Sequence, residues 1–256
     1  MIVALPMYDR VENRAATDRY WSLIRAALAA RGIDAPAALR RGDLDLMPQW
    51  TDPALLLSQT CGFPYRAKLH GHVQLVGTPD FGVTGCPPGH YRSVLIARAD
   101  DPRDHLAQFD GASLAYNDAM SQSGWAAPQN HAARHGLTLR AGPRTGAHAA
   151  SLAAVATGQA DLAALDAVTW SLLAEHDPQA KAVKVIGHTD PTPGLPYITA
   201  ATRDSGAIFD AIAEAITLLD ATERKALRLS GIVRIPAQDY LSVPTPAPPA
   251  AFSTGN

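Results

Sequence analysis

The sequence has few of the features that mark several common protein classes. Its two cysteines, Cys61 and Cys86, form no Cys-x-x-Cys motif; they could pair with each other, and they do not define the cellular compartment. No apolar run approaches the roughly 20 residues that span a bilayer, so membrane insertion is not expected. With 22 basic and 24 acidic residues and no basic stripe or RNA-type aromatic motif, a nucleic-acid partner is not expected either.

The first residues also lack the pattern of an export signal. Residues 1–9, Met-Ile-Val-Ala-Leu-Pro-Met-Tyr-Asp, have no basic n-region, long apolar h-region or small-residue cleavage site, and they are typical of a strand. The chain as given is therefore expected to stay in the cytoplasm, unless an export signal is missing from it. Its 256 residues are enough for one large domain or two lobes.

What the sequence does have is a regular alternation of predicted strands and helices. Strands are expected at residues 2–5, 73–77, 91–97, 113–116, 137–140, 161–165, 183–187 and 197–201. Helices are expected at residues 17–30, 53–59, 125–135, 149–157, 167–176 and 205–219. A last helix follows the capping box at residues 220–223 and is expected to end at Gly231. This order is typical of an α/β fold with mainly parallel sheets.

A proline-rich run suggests where the chain passes between two lobes. Residues 191–196, Pro-Thr-Pro-Gly-Leu-Pro, cannot form regular structure and are interpreted as a crossing. We expect residues 1–97 and 198–240 to form one lobe, and residues 98–197 to form a second, inserted lobe. Residues 241–256 are rich in proline and poor in apolar side chains, which favours an extended or disordered tail.

A small polar loop links the strand at 113–116 to the following helix. It contains Ser121, Gln122, Ser123 and Gly124, and it lies where a helix N-terminus leaves backbone N–H groups without intrahelical partners. These donors and the helix dipole favour an anion. The serine hydroxyls add donors, and the glycine allows a ligand to approach the backbone. An ordinary helix cap explains the same residues.

A second glycine-containing turn, Thr145-Gly-Ala-His148, also leads into a helix. A ring N–H of His148 would donate to an anion there, although a half-exposed surface histidine fits the pattern equally well. Arg144 either reaches the same ligand or is a solvated charge. Asp166 ends the next strand, at the edge where open α/β sheets bind ligands. Its carboxylate would accept a hydrogen bond from a protonated oxyanion or an amine; a simple helix cap is the other interpretation.

Taken together, these ordered motifs resemble a known family. Ser121-Gln-Ser-Gly124, Thr145-Gly-Ala-His148 with the helix at 151–158, and Ala160-Asp-Leu-Ala-Ala-Leu-Asp166 are similar to the phosphate, phosphite and phosphonate solute-binding proteins of ABC transporters. The crossing segments at 91–97 and 193–197 resemble that family too. The resemblance covers residues 2–235.

The resemblance implies a two-lobed, type II periplasmic-binding-protein fold, in which each lobe is a mixed, mainly parallel sheet flanked by helices. It implies that a small phosphorus oxyanion or organophosphonate is captured in the cleft between the lobes and held by hinge closure. The protein would then be a receptor and not an enzyme, would need no cofactor, and would deliver its ligand to an ABC permease from the periplasm.

Carried over to this sequence, the resemblance assigns phosphonyl oxygens to Ser121, Ser123 and the adjacent backbone N–H groups. His148 and Asp166 would complete the shell around the oxyanion. The first lobe is expected to supply aromatic contacts from its strand ends, and the candidates are Tyr8, Tyr65 and Trp50. Core packing is the alternative explanation for each of these three aromatic residues.

Other interpretations stay open. A cytoplasmic enzyme or sensor of the same fold would use the serine loop for an anionic or phosphorylated metabolite. His131 and His135 are spaced to share a metal ion on a helix, but no carboxylate or cysteine lies at ligand spacing, so no metal site is predicted. Ser121, His148 and Asp166 lack the context of a nucleophile elbow, so no catalytic triad is predicted.

Overall fold

The computed structural model describes residues 1–42 and 45–250, which form two compact units. One unit contains Met1–His90 and Pro193–Leu241, and the other contains Tyr91–Thr192 and the residues from Ser242 onward. The first crossing therefore precedes the strand Ser93–Arg98, which the predicted boundary at residue 97 assigned to the first lobe. The proline-rich tail groups with the second unit, and its residues 251–256 lie outside the described residues.

The first unit is built on a five-stranded sheet. Its strands follow the order Ile2–Ala4, Leu55–Gln59, Tyr197–Ala200, Val73–Asp80 and Gly231–Val233. The first pair is parallel, and the pairings after it are antiparallel. The strand Tyr197–Ala200 returns from the second unit and inserts between two strands that precede the crossing, so its direction opposes both of them.

Helices complete the first unit. Arg14–Ala29 and Ser205–Thr217 pack against each other and share an apolar core that includes Trp21, Ile24 and Ile212. The buried side chains of Arg14–Ala29 recur three and four positions apart, as an amphipathic helix requires. The shorter helices are Leu46–Trp50, Gly62–Pro64, Tyr65–Leu69, Ala221–Leu227 and Ala237–Leu241.

The second unit has its own five-stranded sheet, in the order Arg140–Arg144, Ser113–Tyr116, Leu162–Asp166, Ser93–Arg98 and Val183–His188. The first three strands are parallel to one another. In chain order, each of them is joined to the following one by a helical crossover. Ser93–Arg98 enters from the first unit and runs antiparallel to both of its neighbours. The fold class is α/β with mixed sheets flanked by helices, as predicted, although antiparallel pairs outnumber parallel ones in the first sheet and equal them in the second.

Three helices flank the second sheet: Ala127–Arg134, His148–Ala156 and Ala167–His176. A π-helical turn, Gln122–Ala126, leads directly into the first of them. The 3₁₀ turns of this unit are Leu106–Phe109 and Pro178–Ala182. Two short strands, His90–Tyr91 and Thr192–Pro193, lie at the two points where the chain changes unit.

The helix predicted at residues 53–59 is wrong. Leu55–Gln59 is a strand in the interior of the first sheet, and every one of its residues is buried. Asp52 Oδ1 accepts a hydrogen bond from the Ala54 N–H at 2.7 Å, so the residue that resembled a helix cap forms a turn before the strand. A short apolar run beside an aspartate does not by itself distinguish these two structures.

Two further elements are displaced from their predicted positions. The strand expected at 137–140 is Arg140–Arg144, whose edge position tolerates Pro143 because an edge strand need not donate every N–H. The last predicted helix ends at Leu227 and not at Gly231, because Arg228 takes the left-handed conformation, with φ of 55°. Its capping box, formed by Asp220 and Glu223, is confirmed.

Candidate functional site

The polar candidates of the second unit gather at one edge of its sheet. The three parallel strands end at Tyr116, Arg144 and Asp166, so their carboxyl ends meet at this edge. Ser93 begins the antiparallel strand and pairs in register with Asp166, which brings it to the same edge. The serine loop, residues 121–124, follows the first of these strand ends, and His148 follows the second.

The serine loop forms a wide helical turn that begins at Ser121. The Ser121 hydroxyl accepts a hydrogen bond from the Gly124 N–H at 2.9 Å. The Ser121 carbonyl accepts the N–H groups of Trp125 and Ala126 at 3.2 and 3.0 Å. Ser121 is therefore a helix cap, which leaves Ser123 as the loop hydroxyl that is not used by the helix start.

Ser123 joins the loop to two other parts of the unit. Its Oγ lies 3.0 Å from Nε2 of His148, the first residue of the helix His148–Ala156. Its backbone carbonyl accepts a hydrogen bond from Ser93 Oγ at 2.9 Å. Both serines are buried. These bonds join the loop, the helix start and the entering strand in one polar cluster. Ser93 was not among the residues selected from the sequence.

The His148 ring is enclosed, although the residue as a whole is half-buried. Its Nδ1 is buried without a hydrogen-bond partner in the described part of the chain, and no described side chain caps the helix that it begins. Burial lowers the pKa of His148 to about 4, so the imidazole is neutral at neutral pH. With the proton on Nε2, a neutral ring donates to Ser123 Oγ and leaves that hydroxyl able to donate onward.

Asn117 lies between the two loops, and it too was not selected from the sequence. A Cβ atom on Gly124 would lie only 2.0 Å from Asn117 Oδ1, so this contact requires a glycine at position 124. The Asn117 carbonyl accepts the Gly146 N–H at 3.0 Å, in the turn that leads to His148. Asn117 Oδ1 is buried and has no hydrogen-bond partner among the residues that the structure describes.

The turn before His148 is held by Thr145. The Thr145 hydroxyl lies 2.7 Å from Ser151 Oγ, and its N–H donates to the Tyr116 carbonyl at 2.9 Å. Arg144 is exposed and forms an ion pair with Asp118, which is also near the surface. The surface-charge interpretation therefore accounts for Arg144.

Asp166 is buried and caps the helix Ala167–His176. Its Oδ1 accepts the N–H groups of Val168 and Thr169 at 2.8 and 3.0 Å. The cap interpretation of Asp166 is thus realised. Both cap bonds use Oδ1 of the carboxylate.

The three aromatic candidates of the first unit have different surroundings. Trp50 and Tyr65 are buried in one apolar cluster, where the Tyr65 ring packs edge-on against Tyr240. Core packing therefore accounts for both of them. Tyr8 is half-buried and, with Phe81, lines a small cavity of about 30 Å³.

The histidine pair considered for a metal is used in surface contacts. The rings of His131 and His135 are 4.7 Å apart, and His131 Nδ1 lies 3.2 Å from Asp190. Arg134 pairs with the same carboxylate at 2.6 Å. Within residues 1–42 and 45–250, no group of three His, Cys, Asp or Glu side chains is arranged to hold a metal ion.

Comparison with known protein families decides the assignment. The family described as "ABC transporter, phosphonate, periplasmic substrate-binding protein" matches residues 62–240, which is more than half of the chain. The chain belongs to this family. Because its members are substrate-binding proteins and not enzymes, the chain is a solute-binding protein of a transport system. A search of curated proteins finds no match.

Solved structures show the same fold. XAC2383 from Xanthomonas citri bound to chloride is 17% identical, covers 94% of this chain and 96% of its own, and has a TM-score of 0.66. PhnD1 from Prochlorococcus marinus in complex with methylphosphonate is 13% identical, with coverage of 93% and 94% and a TM-score of 0.70. PA3383 from Pseudomonas aeruginosa, a binding protein component of an ABC phosphonate transporter, is 16% identical, with coverage of 94% and 83% and a TM-score of 0.60. The fold is that of type II periplasmic binding proteins.

Proposed function

We propose that the chain binds a small phosphorus oxyanion or organophosphonate at the polar edge of its second unit. The observation that carries this proposal is the 3.0 Å contact between Ser123 and His148, at the start of a helix without a side-chain cap. Such a helix start presents backbone N–H donors and a partial positive charge to an anion. Family membership supports a phosphorus ligand, and PhnD1, which shares the fold, is in complex with methylphosphonate.

Each group has a distinct role in this proposal. Ser123 Oγ accepts a hydrogen bond from the Nε2–H of His148, and its hydroxyl donates a hydrogen bond to a ligand oxygen. His148 orients this hydroxyl without adding charge, because its low pKa keeps it neutral. Asp166 keeps its cap bonds and accepts a hydrogen bond from a protonated ligand oxygen. Hydrogen bonds to a charged ligand contribute about 1.5–3 kcal/mol each.

A thermal-shift panel tests the ligand class. The chain is heated with phosphate, phosphite, methylphosphonate and aminoethylphosphonate, and with sulfate and acetate as controls. A ligand that binds only the folded state stabilises it by about 2.7 kcal/mol at 100 times its Kd. We expect at least one phosphorus compound to raise the melting temperature and acetate to leave it unchanged. If none of the phosphorus compounds raises the melting temperature, the proposal is overturned.

The same panel, run on Asp166→Asn, separates the two roles of this residue. Asparagine keeps an oxygen for the Val168 and Thr169 N–H groups, so the melting temperature without ligand is expected to change little. Loss of the negative charge is expected to improve the binding of sulfate, which carries no proton at neutral pH and is repelled by a carboxylate. Unchanged discrimination against sulfate would mean that Asp166 acts only as a cap.

We also propose that the chain works in the periplasm and delivers its ligand to an ABC permease. Its family is periplasmic, and a cytoplasmic enzyme or sensor is not favoured because the family consists of binding proteins. In the described part of the chain, no helix is long and apolar enough to cross a membrane. Cell fractionation is expected to recover the protein with periplasmic markers, and recovery with cytoplasmic markers would contradict this location.

A further inference from the structure

The last described residues of the second unit have a sequence that dictates their backbone. In the proline segment, Val243–Pro249, every residue either is a proline or precedes one. Proline fixes φ near −65°, and the helical region is disfavoured for a residue before proline. Both restrictions favour the polyproline II helix, which has three residues per turn. The segment is therefore stiff, although it contains neither an α-helix nor a strand.

The exposure of the proline segment follows the same period of three. Val243, Pro246 and Pro249 are half-buried, and the residues between them are exposed. A polyproline II helix that lies against a surface buries one residue in each turn. One face of the segment is thus packed against the second unit.

Two hydrogen bonds fix the proline segment, one to the turn Gln122–Ala126 and one to the helix Ala127–Arg134 that follows it. Trp125 Nε1 donates to the Ala247 carbonyl at 3.0 Å, and Asn130 Nδ2 donates to the Pro244 carbonyl at 2.8 Å. The two carbonyls are three residues apart, so one turn of polyproline II brings both to the same side. Since prolines have acceptors but no N–H donors, a surface that recognises them must supply donors, as an indole and an amide do here.

Trp125 connects the proline segment to the serine loop. It lies two residues after Ser123, within the same helical turn, Gln122–Ala126. Its side chain is buried and contacts the ring of Tyr116, at a centroid distance of 5.0 Å. Tyr116 ends the strand that leads into the loop. Two contacts therefore hold the Trp125 ring in position. The ring packs against Tyr116 at the strand end, and its indole N–H donates to the proline segment.

We propose that the proline segment is a positioning element that docks on Trp125 and Asn130 and holds the serine loop in its observed turn. Its effect on ligand affinity rests on the function proposed above, but its docking and its effect on loop order do not. In this proposal, Trp125 and Asn130 act through the loop and are positioning residues.

Nuclear magnetic resonance on the full chain tests this inference. In one variant, Pro244, Pro246, Pro248 and Pro249 are all replaced by glycine, which keeps every carbonyl acceptor but removes the bias to polyproline II. In a second variant, Trp125→Phe removes the indole donor. Solvent exchange is measured for the Trp125 indole N–H and for the backbone amides of Gly124 and Trp125. The indole N–H of Trp170, on another helix of the same unit, is the internal control.

We expect slow exchange of the Trp125 indole N–H in the unaltered chain, and exchange about five- to tenfold faster in the four-glycine variant, the scale of losing one hydrogen bond. The two loop amides are expected to exchange faster in both variants, while Trp170 is unchanged. Methylphosphonate, used as the probe, is expected to bind about three- to tenfold more weakly to both variants.

Two results would overturn the inference. Fast exchange of the Trp125 indole N–H in the unaltered chain would mean that the segment does not dock. If the exchange rates of the two loop amides do not change in a variant whose segment is released, docking does not position the loop. If methylphosphonate and the other phosphorus compounds fail to bind even the unaltered chain, the proposed function fails, but the exchange rates still decide the role of the segment.

Discussion

Replacing Gly124 by alanine is expected to weaken the binding of the phosphorus ligand about 30-fold and to lower the free energy of unfolding by about 1–3 kcal/mol. The new Cβ would lie 2.0 Å from Asn117 Oδ1 and 3.2 Å from Ser121 Oγ. Asn117 Cγ would lie at 3.1 Å, so either the Asn117 amide or the backbone of the serine loop has to shift. A single methyl group would therefore disturb the contact between Asn117 and the serine loop.

A double-mutant cycle measures whether the contact with Asn117 is the cause. Asn117→Ala removes the amide that the new methyl group meets, so the pair Asn117→Ala and Gly124→Ala is expected to bind better than Gly124→Ala alone. Affinity is measured by calorimetry with the phosphorus compound that gives the largest thermal shift. Gly187→Ala is the matched control, because a Cβ there meets its nearest neighbour, a Leu95 side-chain atom, at 3.9 Å. Additive effects of the two substitutions would contradict this explanation.

How far the sequence predicts this fold depends on whether local signals agree with long-range packing. The helix Ala167–His176 was predicted at its observed bounds, because Asp166 caps it and the strand before it is uniformly apolar. Asp52 also resembled a helix cap, but that prediction is wrong, because Asp52 forms a turn that precedes a buried strand. Leu55–Gln59 is a strand because it pairs with two neighbouring strands in the sheet. The residues around it in the sequence do not indicate this pairing.

The candidate site shows a similar limit. Ser123, His148 and Asp166 were selected because each lies where a strand or turn meets a helix, and the structure brings them to one edge of the sheet. Ser93 and Asn117 were missed because their roles come from contacts with residues distant in sequence. A polar residue at the start or end of a buried strand was the available signal, and it is too common to select either residue alone. The ligand contacts of Ser123, His148 and Asp166 stay predictions.

Replacing Asp161 by alanine is expected to destabilise the second unit by about 2–3 kcal/mol, a larger loss than an exposed carboxylate would cause. Its Oδ2 accepts both the N–H and the hydroxyl of Ser113 at 2.8 Å, and its Oδ1 accepts Arg103 Nη2 at 3.0 Å. Arg103 also pairs with Asp101 at 2.6 Å and lies over the ring of Phe109, 4.0 Å from its centroid. Alanine removes three hydrogen bonds and leaves the Ser113 N–H without its acceptor.

Urea unfolding followed by circular dichroism measures the loss, and two variants calibrate it. Asp161→Asn keeps an acceptor for Ser113 and is expected to lose about half as much stability as the alanine variant. Asp100→Ala breaks an exposed ion pair with Arg98 and is expected to cost less than about 1 kcal/mol. An alanine variant at position 161 no less stable than Asp100→Ala would show that the Asp161 network contributes nothing beyond a surface charge.

Acid should remove the contribution of this network in a defined range of pH. Hydrogen bonds from Arg103 lower the pKa of Asp101 to about 2, below its ordinary value of 3.8. Partial burial opposes the shift at Asp161, but hydrogen bonds from Ser113 and Arg103 outweigh it, so the pKa of Asp161 is also lowered. Because the unfolded chain takes up these protons first, the stabilisation is complete above about pH 4 and is lost as the pH falls towards 2. The difference in stability between the unaltered chain and Asp161→Ala should therefore shrink over that range, and a difference that stays constant down to pH 2 would contradict an ionic origin.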